Sequence, residues 1–466
     1  MSENTADVFL NGNNKKLYKN YFIFFSGQQI SILGSTIVQF VLIWWITLET
    51  GSELILGLAS LAGFGPLIVF APIAGVISDR INRKLVIVAA DSLIAVITAV
   101  AIYLFYTDNF TIAWLFIVLV IRGIGDAFHN TIVMSILPTM IPPEQISRIN
   151  GLNYLFNGLI RIVGPAIAAA LLIIWSTVEL MFADIVTYVI ATALILTVKI
   201  PTVSTKIKKG EKIKFFADLK EAFKTLISIK GLLAIGILLI VVNFFFTPFN
   251  TLLPLFVYKT HGGLETDYAL LIFFFQAGIV GGSIFMSVYK GFKRKAWISY
   301  IVIMWSFFVL TTLYFIPARE IGLFEQLGVQ LPLHVITRGS SNLFGLMGFQ
   351  FFLATLVHPI VNVSLLSGIQ LVVPKEKLGR VSGFIATEVS SFMPIAMIVG
   401  GGIGEVIGIR YIYLFSGILG MIVVSLIWFL TKARLFDKEI EKKLAEGAEL
   451  EKPKLGETVD LVTQTE

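Results

Sequence analysis

Twelve long, predominantly apolar runs punctuate this sequence, each bounded by charged or turn-forming residues, and no other feature narrows the possible folds as far. A helix crosses the hydrocarbon core of a bilayer with about 20 apolar residues, so every run is long enough to span. In lipid the backbone must satisfy its own hydrogen bonds, and continuous runs without period-two alternation do so as helices. Composition agrees: 56% of the 466 residues are hydrophobic and 14% are charged. Those proportions argue against a soluble enzyme, a nucleic-acid-binding domain and a disordered chain. Cysteine is absent, which removes disulfides, thiolate metal sites and cysteine nucleophiles. The expected fold class is an all-α integral membrane protein.

The spans are predicted at 21–47, 53–78, 85–106, 111–137, 151–174 and 178–198, then at 231–257, 268–289, 296–316, 343–373, 381–405 and 411–431. This divides the chain into an N-terminal arm (1–20), a six-helix bundle (21–198), a basic linker (199–230), a second six-helix bundle (231–432) and a charged tail (433–466). The arm is polar and the first run is long enough to span, so no cleavable signal peptide is expected. With the arm inside, 30 of the 36 Lys and Arg fall in inner segments and only Lys259, Arg319, Arg338 and Arg410 fall outside. A bias of that size predicts a cell-membrane protein with both termini cytoplasmic. The linker stretch 215–229 reads as an amphipathic helix on anionic lipid, and the tail from Asp437 as a frayed helix followed by disorder.

The two bundles are repeats. Pro142-Pro-Glu144-Gln-Ile-Ser-Arg148-Ile-Asn-Gly151 follows the fourth span and Pro374-Lys-Glu376-Lys-Leu-Gly-Arg380-Val-Ser-Gly383 the tenth, at an offset of 232. Arg83-Lys84 after the second span and Arg294-Lys295 after the eighth are offset by 211, and the longer outer segment 317–342 accounts for the difference. A duplicated six-span unit is the sequence signature of a transporter with its site between the repeats.

Ionisable groups in the bilayer are costly and mark function by default. Arg122 lies near the midplane of the fourth span, with Asp126 and His129 at i+4 and i+7, so the three share one helical stripe. Burial and the neighbouring guanidinium act on Asp126 in opposite senses, which suits a proton carrier; a self-satisfied Arg–Asp pair is the alternative. Arg161 in the fifth span either neutralises an acidic partner or pins helix packing, and Glu388 in the eleventh is a second protonation candidate or an inner-gate contact. Asp91 and Asp184 are shallower and read as gate or helix-end residues. His358, before Pro359, with Asn362 at i+4, is either a hydrogen-bonded core residue or a cavity residue.

Amides in spans seek the protein interior. Gln28, Asn243 and Gln276 therefore join Arg161, His358 and Asn362 as candidates for the cavity wall. The Phe triplets at 244–246 and 273–275 place rings in all directions, some towards lipid and some towards an apolar cavity. No metal spacing, phosphate-cradling glycine motif or nucleophile–base set is present, so no metal, cofactor or catalytic residue is expected.

From Tyr21 to Lys432 the chain resembles the major facilitator superfamily. Its strongest likeness is Gly75-Val-Ile-Ser-Asp79-Arg80-Ile-Asn-Arg83-Lys84, with Asn82 where the usual signature has a second Gly. The resemblance implies an inner gate at Gly75, Asp79, Arg80, Arg83 and Lys84. Arg122 is similar to the fourth-span Arg that the family links to proton transfer. Gly158 and Gly164-Pro165 resemble part of the antiporter motif, with Ile160, Ala168 and Ala169 replacing its other glycines. The stretch Arg122-Gly-Ile-Gly-Asp126-Ala-Phe-His129, the loop Gly291-Phe-Lys-Arg-Lys295 and Gly379-Arg380-Val381 with Pro394 resemble the macrolide-efflux and enterobactin-exporter branch. What this implies is a monomeric, twelve-helix facilitator exporting small lipophilic or amphipathic compounds in exchange for protons. It would contact membrane lipids and no nucleic acid, with Asp126, Arg122, His129 and Glu388 coupling protons. A proton-coupled nutrient importer and a lysolipid flippase or scramblase are the alternatives.

Overall fold

Each apolar run becomes a helix whose backbone bonds internally and whose side chains face either lipid or neighbouring helices. The computed structural model describes residues 14–78, 81–141, 143–200, 215–289, 291–316 and 341–450. In chain order its helices are α1 (Asn14–Thr50), α2 (Glu53–Ser78), α3 (Arg83–Tyr106), α4 (Ile112–Met140), α5 (Pro143–Leu172), α6 (Thr177–Thr197), α7 (Phe215–Ser228), α8 (Leu232–Thr251), α9 (Glu265–Val288), α10 (Lys295–Thr311), α11 (Ser341–Thr355), α12 (His358–Val372), α13 (Lys375–Ile407), α14 (Ile409–Leu430) and α15 (Leu435–Leu450). Among the described residues, twelve helical stretches are long and apolar enough to cross a membrane, with α11 and α12 together forming one of them.

Two spans depart from single straight helices. The seventh ends at Thr251 and continues through a short turn, Leu253–Leu255, into a π-helical turn, Phe256–Thr260. The tenth breaks after Thr355, where Thr355 Oγ1 donates to Phe275 O of α9 at 2.8 Å. That contact needs small residues opposite: a Cβ on Gly282 would lie 1.9 Å from Leu356 O. One residue, Gly408, separates α13 from α14, and its φ of 90° is open to glycine and costly for other residues.

The tail is more ordered than its composition suggests. α15 docks under the second bundle through Phe436 and Ile440, both 0% exposed. Asp437 accepts from Ala296 N at 2.8 Å and Trp297 N at 3.0 Å, capping the first turn of α10. Two apolar residues one turn apart anchor a helix that charge content alone marks as frayed; residues 451–466 lie outside the described segments. The linker helix α7 buries Ala222 and Leu226 and pairs Glu221 with Arg380 at 2.5 Å and Lys377 at 3.3 Å at the start of α13.

The two bundles meet at one end. Opposite the basic loops, on what we call the far face, a Cβ on Gly57 of α2 would lie 2.5 Å from Met397 O of α13, and one on Gly401 would lie 2.6 Å from Glu53 O. Beside this glycine joint, Phe40 and Trp44 of α1 stack on Tyr268 of α9 at centroid distances of 5.0 and 5.8 Å. On the basic face, added Cβ atoms at Gly75, Gly151 and Gly383 meet nothing within 4 Å. The bundles therefore close on each other at the far face, while these three glycines of the basic face adjoin open space.

Candidate functional site

Each bundle holds a cavity. That of the first bundle, about 240 Å³, is walled by α1, α3, α4 and α5 and includes Ser35, Gln39, Asp91, Arg122, Asp126, His129, Asn130 and Arg161. Close packing builds it: a Cβ on Gly123 would lie 2.4 Å from Gly63 O, and one on Gly125 would lie 2.5 Å from Ile94. Those two glycines draw α2 and α3 onto α4 and bring Asp91 and Thr98 of α3 within reach of its stripe.

Arg122 and His129 both find carboxylates, on other helices. Arg122 Nη1 donates to Asp184 Oδ2 at 2.5 Å and to Thr98 Oγ1 at 2.6 Å. Thr98 Oγ1 donates to Asp184 Oδ2 at 3.0 Å and Ser35 Oγ to Asp184 Oδ1 at 2.7 Å. His129 Nδ1 lies 2.5 Å from Asp91 Oδ1, so one proton is held between them. All four partners are at most 6% exposed. Asp126 lies between these pairs on the same stripe and forms no hydrogen bond or ion pair among the described residues.

Asp184 and Asp91 thus complete the ion pairs, whereas residue depth alone suggested gate or helix-end roles. A usable signal was level: Asp184 is seven residues from the far-face end of α6 and Thr98 eight from that of α3, close to the ten of Arg122 in α4. At 1.5 Å per residue the three lie within one arginine side chain of one another in height.

The second bundle holds a cavity of about 210 Å³ walled by Asn243, Phe246 and Asn250 of α8, Phe275, Ser306, and His358 with Asn362 of α12. Gln28, Gln276 and Glu388 are outside both cavity walls. Gln28 is 1% exposed and packed within the first bundle, where neither amide atom finds a hydrogen-bond partner among the described residues. Glu388 is half-buried on the basic half of α13.

Of the expected inner gate, Asp79 and Arg80 lie outside the described residues. Arg83 Nη1 donates to Ser135 O at 2.9 Å, and Lys84 Nζ to Leu196 O at 2.9 Å and Val198 O at 3.1 Å. Both cations therefore lie against backbone carbonyls near the basic ends of α4 and α6, where the helix dipole favours positive charge. Asn82 caps α3, its Oδ1 accepting from Lys84 N at 3.0 Å, which a glycine at this position could not do.

Sequence reasoning missed the polar lock on the far face. Glu53 Oε1 accepts from Lys259 Nζ at 3.0 Å. Glu405 Oε2 accepts from Ser52 Oγ at 2.8 Å and Leu54 N at 3.2 Å, so a carboxylate of the second bundle caps a helix of the first.

Two pseudo-equivalent six-helix bundles with a cavity in each are the architecture of a twelve-span membrane transporter. The chain belongs to the Major Facilitator Superfamily, whose family model matches residues 24–387. It is 28% identical over 416 residues to macrolide efflux protein A of Streptococcus pyogenes, covering 87% of this chain and 94% of that protein. It is also 28% identical over 356 residues to macrolide efflux protein A of Enterococcus faecalis, covering 74% of this chain and all of that protein. Among solved structures it superposes on a point mutant of the nucleoside transporter NupG with a TM-score of 0.63 at 14% identity, over 86% of this chain and 98% of the other.

Proposed function

We propose that this protein exports small lipophilic or amphipathic compounds, macrolides foremost, in exchange for protons, and that Asp126 carries the proton. One observation carries the reading: between two neutralised pairs, Asp126 stands in the wall of a cavity at mid-span with no hydrogen-bond or ion-pair partner among the described residues. An unpaired carboxylate resists being sealed away from water. A proton on an Asp126 oxygen or the ammonium group of a substrate removes that resistance. The two occupants then exclude one another, which is the logic of exchange. Support for export comes from the relatives named macrolide efflux protein A. The Lys and Arg bias supports an orientation with the basic face in the cytoplasm, where an exporter collects its cargo.

The test is transport into proteoliposomes containing only this protein, with a labelled macrolide and an imposed proton gradient. Wild type is expected to accumulate the label against its gradient. Asp126→Asn is expected to equilibrate it without accumulation. Undiminished proton-driven accumulation by Asp126→Asn overturns the assignment of the proton. A wild type that leaves the macrolide unmoved but equilibrates labelled lysolipid overturns export.

A further inference from the structure

The two cavities are copies of one another. At the offset of 211, Ser31, Ile32, Ser35 and Gln39 of α1 correspond to Val242, Asn243, Phe246 and Asn250 of α8. The first set lines the first cavity and the second set lines the second. At the offset of 232, Asp126, His129 and Asn130 of α4 correspond to His358, Val361 and Asn362 of α12, and again each set lines its own cavity.

The copies differ in charge. Where the first bundle has Arg122 and Asp184, the same offset gives Ala354 and Ser416, and where it has Asp126 and His129 the second has His358 and Val361. No Lys, Arg, Asp or Glu lines the second cavity. What replaces them is polar and uncommitted: Asn250, His358 and Asn362 form no hydrogen bond among the described residues. His358 rests edge-on against Phe246 at a centroid distance of 4.9 Å, and Phe275 is part of the same wall.

We infer that the second cavity is a recognition subsite for an uncharged moiety bearing hydroxyl, ether or carbonyl oxygens on an apolar ring. Amides both donate and accept, so they suit oxygen-bearing neutral groups, and aromatic walls suit the ring faces. A carboxylate or ammonium group entering here would be desolvated with no counter-ion. At about 210 Å³ the cavity is smaller than the roughly 300–1,000 Å³ of a drug-sized site, so it takes part of a ligand. The two halves then divide the labour, with ionic work in the first and neutral recognition in the second. This rests on the transport reading for its purpose, and its test stands apart from proton coupling.

Three probes that share a phenyl ring separate the possibilities: phenyl β-glucoside, phenyltrimethylammonium and benzenesulfonate, each titrated by ligand-observed NMR against the full chain in phosphatidylcholine nanodiscs. The glucoside is expected to bind, and the double variant Asn250→Ala/Asn362→Ala to weaken it at least tenfold. The control Val288→Ala, at a residue 82% exposed and outside both cavity walls, should leave its affinity within twofold. Asn362 is exposed to the cavity, and Asn250→Gln/Asn362→Gln, which keeps both amides, should restore most of the binding. Absence of glucoside binding, indifference to the alanine pair, or equal binding of a charged probe through the same residues overturns the inference. Macrolide transport that fails while the glucoside still binds in this pattern counts against the export reading alone.

Discussion

Lys259 Nζ and Glu53 Oε1 lie 3.0 Å apart, and the pair joins the two bundles across the far face. Glu53 is 2% exposed, and its Oε2 is buried with no hydrogen-bond partner among the described residues. Lys259→Ala leaves that carboxylate buried and unpaired. Because the Lys259 side chain is itself 38% exposed, we expect the closed far face to lose about 1–3 kcal/mol. The chain has no cysteine, so a single Cys at Gln39 can report the change. Labelling by an impermeant maleimide from the far side should rise severalfold in Lys259→Ala; an unchanged rate removes the pair from the lock.

Backbone contact at the same joint tolerates no side chain. A Cβ at Gly401 would lie 2.6 Å from Glu53 O and 3.2 Å from Leu54 Cα, both backbone atoms. Gly401→Val should therefore prop the far face open and slow transport by tenfold or more while the folded yield stays near wild type. Gly402→Val, where the nearest atom is a Leu54 methyl at 3.8 Å, should be close to neutral. Equal effects from the two substitutions would mean the joint does not close as described.

Removing one member of the buried Arg122–Asp184 pair should cost more than removing both. Asp184→Asn leaves a guanidinium 6% exposed without its carboxylate, and losses of about 3–5 kcal/mol are usual for such breakage. The double variant Arg122→Met/Asp184→Leu should recover much of the loss in thermal unfolding within nanodiscs, although transport is lost in both. Additive losses would show that the two residues are energetically independent.

Acid should destabilise the fold through His261, which lies at the far face. Its imidazole is 5% exposed, and Nδ1 lies 3.0 Å from Phe256 O. Burial pushes its pKa from 6.5 down to about 4, with nearby Arg410 acting in the same direction. A base with a lowered folded pKa binds fewer protons folded than unfolded. Its contribution is complete above pH 6.5 and falls away towards pH 4, by about 3 kcal/mol at most. The drop in melting temperature between pH 7.5 and pH 4 should therefore be smaller in His261→Phe than in wild type. Parallel curves would exclude His261 as the titrating group.

Much of this architecture is legible without coordinates. Span length and apolar continuity suffice for the helices, because lipid leaves the backbone no other partner. The repeat is legible, but the sequence places one site between the two bundles, whereas the structure gives each bundle its own cavity, with Arg161 in the first and Asn243, His358 and Asn362 in the second. Arg122, Asp126 and His129 share a cavity wall because helical spacing is local geometry. The break at Leu356, the docking of α15 by Phe436 and Ile440, and the cap given by Asp437 to α10 depend on contacts between distant segments.

The pairing of charges has that same non-local origin. Sequence establishes that Arg122 needs a counter-ion, since an unpaired guanidinium in a bilayer is too costly. It cannot choose between Asp126, one turn away, and Asp184, two helices later, because that choice rests on how Gly123 and Gly125 let neighbouring helices close on α4 and aim their side chains. The far-face lock of Glu53, Lys259, Ser52 and Glu405 follows the same rule. Hydropathy puts each residue at a membrane boundary, but only packing of the two bundles makes them partners.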